Sequence, residues 1–234
     1  MADLTSTDYI LINGVSSETV GLWIDTPPVP PLSRQRVTTW ETGIDADGSV
    51  PDDVFDNIQL AVDAYVFFKT ADFSLAAVYA FLANAQTVGI SRFADRFFKV
   101  REVGGIAPQA QYDGQRLHIP VTFVCDPFKY HTSNSAVTPD GGTVTNPGTR
   151  YSRPVYKITH SGGCTLTVNG ETLTIASGAS SPVYIDADRM FAYDGDGVNQ
   201  TKYTTGAFPF LQPGTNNVST TGTAVEITGN WRDY

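Results

Sequence analysis

Few side chains in this chain sit at spacings that chemistry requires. The run "HSGGC" places His160 four residues before Cys164, which invites a thiol nucleophile beside a base. Along a strand, that spacing sets the two residues two pleats apart, and no partner acid accompanies them. His118 and His131 stand in no zinc-like spacing with either cysteine, and neither a Gly-x-Ser-x-Gly elbow nor a phosphate-binding loop occurs. The stretch "DADGSVPDDVFD", Asp45 to Asp56, puts acids at the first, third, ninth and twelfth places of a calcium-loop frame. Val50 fills the sixth place where the loop needs glycine, Pro51 follows, and the bidentate last position is only an aspartate. That stretch and the shorter "DGDG" of Asp194 to Gly197 read as turns. The expectation is therefore a protein that is not an enzyme and carries no metal or cofactor.

A second kind of chemistry, recognition, is suggested by "CTLTVNGETLTIA", Cys164 to Ala176. Folded about Asn169 and Gly170, it sets Leu166 against Leu173 and Cys164 against Ile175, with Thr165, Thr167, Thr172 and Thr174 on the other face. Asn-Gly is the preferred pair for a type I′ turn, and a one-residue slip would expose every apolar side chain, so turn and pattern specify one register. The threonine face carries no aromatic or bidentate group. It reads as the wet side of a scaffold, with a sugar-binding surface as the alternative.

The elements that position these residues are mostly strands. The 234 residues include 21 Gly and 14 Pro, aromatics reach 12 % and charged residues only 17 %. That mixture favours β structure and is enough for one large domain or two smaller ones. The net charge of −9 excludes free nucleic acid and anionic membrane surfaces as ready ligands. Residues 1–130 carry 16 acids against 9 bases, and residues 150–234 carry 7 against 6, so the halves differ in character. Cys125 and Cys164 each lie in an apolar run and read as reduced core thiols, a disulfide between the halves being the alternative. The first residues lack a basic region followed by an apolar one, and "AAVYAFLANA" is too short to span a bilayer, so no membrane association is expected.

Strand-like runs flank Asn13-Gly14 in "DYILINGVSSETVGLWID", and "TPPVPP" then interrupts them. "RQRVTTW" reads as a strand, "ETGIDADGSVPDD" as a turn-rich loop and "IQLAVDAYVFF" as a strand again. Leu75, Val78, Tyr79 and Leu82 recur at helical spacing over 73–86, with Asp72 or Ser74 as cap, and no charge lies between Asp72 and Arg92. Such a helix is expected to be buried on more than one side, within a domain or against a neighbouring subunit. "RFFKVREV" and "QRLHIPVTFVCDPFKYH" follow as strands. The small, polar segment 133–149 reads as a linker or long loop between a domain at 1–132 and a β-sandwich at 150–234.

"CTLTVNG", "YIDADR", "FPFLQPGTNNVSTTGTAVEI" and "NWRDY", in this order behind "INGVSSETVGLWI", resemble the distal tail proteins of long-tailed (siphovirus-type) bacteriophages, the Dit family. The resemblance covers most of the chain and rests on order and spacing. It implies an N-terminal β-sandwich-type domain with one α-helix and a C-terminal galectin-like β-sandwich. It also implies a homohexameric ring that joins the tail tube protein to the tail-tip hub or tail-associated protein and to receptor-binding proteins. Such a ring belongs to the virion tail tip, is assembled in the host cytoplasm and lets DNA pass without binding it specifically. Larger members carry carbohydrate-binding insertions, for which this chain has no room. In a ring, one subunit's acid becomes a circle of charge, so some of Asp45, Asp47, Asp52, Asp53 and Asp56 are expected to face the lumen and repel phosphate, a solvated outer loop being the alternative. The alternative function is a standalone carbohydrate-binding or adhesin module.

Overall fold

Period-two alternation builds the first part of the chain. The computed structural model describes residues 8–40, 48–67, 74–110 and 116–234. The chain divides into one unit of Met1–Thr132 with Tyr234 and a second of Ser133–Asp233. In the first unit, β1 (Ile10–Ile12), β2 (Val15–Ser16), β3 (Trp23–Thr26), β4 (Gln35–Trp40), β5 (Gly48–Phe55) and β6 (Ile58–Phe67) precede α1 (Leu75–Ala83). After it come β7 (Thr87–Ile90), β8 (Arg96–Val103), β9 (Gln109–Ala110), β10 (Arg116–Cys125) and β11 (Lys129–His131).

The frame is the antiparallel pair of β6 and β10, in register from Arg116 opposite Phe67 to Cys125 opposite Ile58. Alternate residues of both are buried: Leu60, Val62, Ala64 and Val66 on one, Ile119, Val121, Phe123 and Cys125 on the other. Pro120 interrupts nothing, because it lies between the short stretches where β10 has a second partner, Leu117–His118 with β9 and Phe123–Cys125 with β8. The sheet runs β2-β1-β7-β8-β10-β6-β3. β8 belongs to both halves of it: Phe97 to Lys99 pair with β7, whereas Val100 to Val103 pair with β10 across a register shift at Val124/Cys125. The sheet therefore curls, and Ile10, Ile12, Val88, Ile90 and Phe98 share one core with the β6 and β10 residues.

α1 is shorter than its periodicity predicts. Ser74 caps it by accepting from the Ala77 amide at 3.3 Å, and Asn84 closes it. Val78 and Leu82 enter the core and Leu75 and Phe81 pack against it, but Ala76, Ala77, Ala80 and Ala83 are exposed. Burial within the unit is thus one-sided. Two runs also differ from their sequence reading. Residues 48–55, predicted as loop, form β5, and Thr143 to Asn146, inside the expected linker, form a strand of the second unit. β5 tolerates Pro51 because, among the described residues, it pairs with β4 alone, so one side of its backbone needs no ladder donor.

The second unit is a β-sandwich. Its strands are β12 (Thr143–Asn146), β13 (Val155–Thr159), β14 (Cys164–Val168), β15 (Glu171–Ile175), β16 (Val183–Asp186), β17 (Phe191–Asp194), β18 (Thr204–Thr205), β19 (Gly214–Thr220) and β20 (Ala224–Thr228). One sheet has the order β12-β19-β14-β15-β18 and the other β17-β16-β13-β20, antiparallel throughout. Leu166, Val168, Leu173, Ile175 and Val218 of the first face Tyr156, Ile158, Val183, Ile185 and Ile227 of the second in one core. Tyr156 is wholly buried, and its hydroxyl donates to the Pro209 carbonyl at 3.2 Å, which lets a phenol stand in that core. The fold is mainly β, of β-sandwich type, with one α-helix among the described residues.

Candidate functional site

The residues singled out for catalysis do not make a catalytic centre. Cys164 is buried on β14 opposite Ile175, and burial pushes its thiol up from the ordinary range. His160 is also buried, and its Nε2 lies 3.1 Å from the Ser180 carbonyl, so that nitrogen carries the proton and donates. Its amide donates to the Ser181 hydroxyl. These contacts fix the ring to the β15–β16 connection. Cys125, also a free thiol, is pushed up to about 12 by burial and by the neighbouring Asp126 carboxylate. His118 Nε2 sits 3.1 Å from Asp63 Oδ1 and its ring stacks on Tyr65, a cluster that contains neither cysteine.

The threonine face spends three of its four hydroxyls internally. Thr167 and Thr172, directly opposed, hydrogen-bond to each other at 2.9 Å, and Thr165 bonds through its amide and hydroxyl to the Thr221 hydroxyl. The turn beside them does more than reverse the chain. Asn169 and Gly170 both have positive φ, 50° and 91°. Asn169 Oδ1 accepts from the Asn217 amide at 2.9 Å and its Nδ2 donates to Asn216 Oδ1 at 2.8 Å, which clips the hairpin tip to β19.

In the first unit several of the features left open are apolar. β4 and β5 form a two-stranded sheet of their own, pairing from Gln35 opposite Phe55 to Trp40 opposite Gly48. Val37, Val50 and Val54 on it are exposed, and Val29 and Leu32, just before it, are 84 % and 73 % exposed. A two-stranded ribbon is marginal in water by itself, and exposed valines on it favour a covered state. Its base is anchored: the Ser33 hydroxyl donates to the Asp56 carbonyl at 2.6 Å, the Asp56 amide to the Arg34 carbonyl at 2.9 Å, and Arg36 Nε to Asp56 Oδ1 at 2.7 Å. The Asp56 carboxylate is therefore half of an ion pair. Asp52 and Asp53 fall on β5, while Asp45 and Asp47 lie outside the described residues.

The exposed alanines of α1 add a second uncharged surface. Between β1, β7 and β8, on the side away from the core, Leu11, Thr87, Gly89 and Phe97 line a largely apolar depression of about 260 Å³. Nothing in the valines of the ribbon was visible as a functional signal in the sequence, since "GSVPDDVF" has the composition of a loop.

No family model matches the chain, and no curated protein matches it. A solved structure does. The fold is similar to the Dit protein (gp 19.1) of phage SPP1, described as a paradigm of the hub adsorption apparatus in phages infecting Gram-positive bacteria. The TM-score is 0.68 at 15 % identity, over 94 % of this chain and 97 % of that one. At that identity the likeness establishes a shared fold, and its near-complete coverage includes both units.

Proposed function

We propose that this chain is a structural hub subunit of a phage tail tip, without catalytic activity. Its first unit assembles into a homohexameric ring, and that ring joins the tail tube to tip and receptor-binding proteins in the virion. The observation that carries the reading is the likeness, end to end, to a phage hub adsorption protein. The exposed valine ribbon, the alanine face of α1 and the apolar depression supply surfaces that a monomer leaves uncovered. The second unit, a galectin-like sandwich in this reading, projects from the ring as an independently folding domain.

In the same reading the acidic stretch with Asp45, Asp47, Asp52 and Asp53 faces a central channel, where repeated negative charge repels the phosphates of passing DNA. Asp56, neutralised by Arg36, contributes less to that wall. Light scattering on the full-length chain tests the ring. Six copies of a 25.3 kDa chain give about 150 kDa. A species of that mass that falls apart on replacing Val37, Val50 and Val54 with serine supports the reading. A monomer at all concentrations overturns it.

A further inference from the structure

The sheet β17-β16-β13-β20 has an outer face that neither the core nor the proposed ring uses. Register places one row of side chains straight across it: Glu226 on β20 opposite Lys157 on β13, Lys157 opposite Tyr184 on β16, and Tyr184 opposite Tyr193 on β17. The two tyrosine rings are nearly parallel, 5.2 Å between centroids and 5° between planes, and Phe191 continues the stack 5.6 Å from Tyr193. Cross-strand aromatic pairs stabilise sheets in general. Here a depression of about 400 Å³ lies beside the pair, lined by Val155, Lys157, Tyr184, Tyr193, Glu226 and Thr228. That volume is in the range of roughly 300–1,000 Å³ typical of small-molecule sites, whereas a stable protein partner needs a far broader surface.

The charges narrow the occupant. Lys157 Nζ and Glu226 Oε2 are 3.0 Å apart, and Asp186, at the neighbouring position of β16, pairs with Arg189 at 3.8 Å. The face therefore presents donors and acceptors side by side with its charges matched. An anion attracted by Lys157 meets Glu226, and a nucleic acid finds no positive excess. A neutral polyol suffers neither conflict: one hydroxyl donates to the Glu226 carboxylate while its neighbour accepts from the Lys157 ammonium. Aromatic surfaces beside such a pair suit a molecule with apolar C–H faces and polar edges.

We propose that this face binds a neutral pyranose-containing glycan, with Tyr184 and Tyr193 against the sugar's C–H face and Lys157 and Glu226 holding adjacent hydroxyls. The site is distinct from the threonine face, which lies on the other sheet and where the Thr167 and Thr172 hydroxyls pair with each other. It is also independent of oligomeric state, so a monomeric chain would retain it.

Saturation-transfer NMR of the full-length chain with a panel of uncharged methyl pyranosides, and with inorganic phosphate as the charged probe, tests it. At least one pyranoside is expected to bind, with transfer strongest to the protons of one ring face. Its Kd is expected to rise roughly tenfold or more in Tyr184→Ala and in Glu226→Gln, and to stay unchanged in Thr167→Ala and on adding salt. Glu226→Gln keeps the stack and shape of the site, so it decides the matter even where Tyr184→Ala disturbs the sheet. Absence of binding by every pyranoside overturns the proposal. So does binding that survives Glu226→Gln undiminished, or a preference for phosphate.

Discussion

Replacing Asn169 by glycine separates two explanations of the hairpin turn. Asn169 stands at φ 50°, and glycine meets that requirement at least as well, so a residue selected for backbone conformation alone would tolerate the change. The structure assigns it a second task. Its amide joins the tip to β19 through the Asn217 amide and the Asn216 side chain, at 2.9 and 2.8 Å. Each bond contributes about 1 kcal/mol net, and the added glycine freedom costs up to about 1 kcal/mol, so Asn169→Gly should destabilise the second unit by about 2–3 kcal/mol. Gly170→Ala is the counterpart. Its new Cβ meets nothing within 4 Å, so its cost is that of φ 91° alone, about 1–2 kcal/mol. Thr167→Ala loses one exposed hydroxyl pair and should cost under about 1 kcal/mol. Urea unfolding with peptide-resolved hydrogen exchange over 164–175 measures all three, and 2 kcal/mol corresponds to a midpoint shift of about 1 M for a small unit. A change below about 0.5 kcal/mol for Asn169→Gly, with Gly170→Ala clearly larger, would refute the clip.

Three further outcomes are expected. In the first unit, buried Asp126 accepts from both Arg101 Nε and Nη2 and from the Tyr130 hydroxyl, so Arg101→Met should cost about 2 kcal/mol, reduced from a fully buried pair because Arg101 is largely exposed. Arg36→Met, breaking an exposed pair, should cost under about 1 kcal/mol, and equal losses in thermal unfolding would contradict the difference. The Asp194 carboxyl is held below the usual carboxylate range by the Val198 amide first, with the Asp196 amide, Ser180 and Gln200 adding, against the opposing effect of burial. Its folded pKa is depressed, so its stabilisation is present above the unfolded value near 3.9 and disappears as pH falls through the folded one. Carbon-detected NMR titration should find Asp194 titrating below ordinary aspartate, and a midpoint at or above about 3.9 would contradict the assignment. Finally, a fragment beginning at Ser133 should unfold cooperatively, whereas one beginning at Arg150 lacks β12 and the Val137–Ile227 bridge and should have a lower midpoint. Equal midpoints would make residues 133–149 a mere linker.

What the sequence discloses depends on whether structure is encoded locally. The hairpin of β14 and β15 is legible because one alternating pattern and one Asn-Gly pair each specify its register. The core faces of β6 and β10 are legible for the same reason, ten residues each of alternation. β5 is not. Gly, Pro and two aspartates within eight residues argue against a strand, and only the pairing with β4 overrides them. The burial of α1 is less legible than its existence: alanines count as apolar in an uncharged run, yet four of those in α1 face outward. The stacked row on β13, β16, β17 and β20 was hidden for a different reason: Lys157, Tyr184, Tyr193 and Glu226 span 70 positions and meet only through strand register.

The asparagines at positive φ show how a local requirement and a distant contact can share one residue. Asn13, Asn169 and Asn230 all adopt it, with φ between 49° and 52°. Each also spends its side chain far away in sequence. Asn13 Oδ1 accepts from the Gln86 and Thr87 amides and its Nδ2 donates to the Asn84 carbonyl, fastening the first turn to the end of α1. Asn169 clips its hairpin to β19, and Asn230 exchanges bonds with Asn134 while donating to the Arg153 carbonyl. Glycine would serve the backbone at all three positions and aspartate would keep the acceptor, but only asparagine supplies left-handed tolerance, acceptor and donor together. A turn dipeptide in such a chain is therefore evidence about tertiary structure as well as local structure. The same backbone preference that makes "NG" readable as a turn conceals, in the choice of Asn over Gly, the element to which that turn is tied.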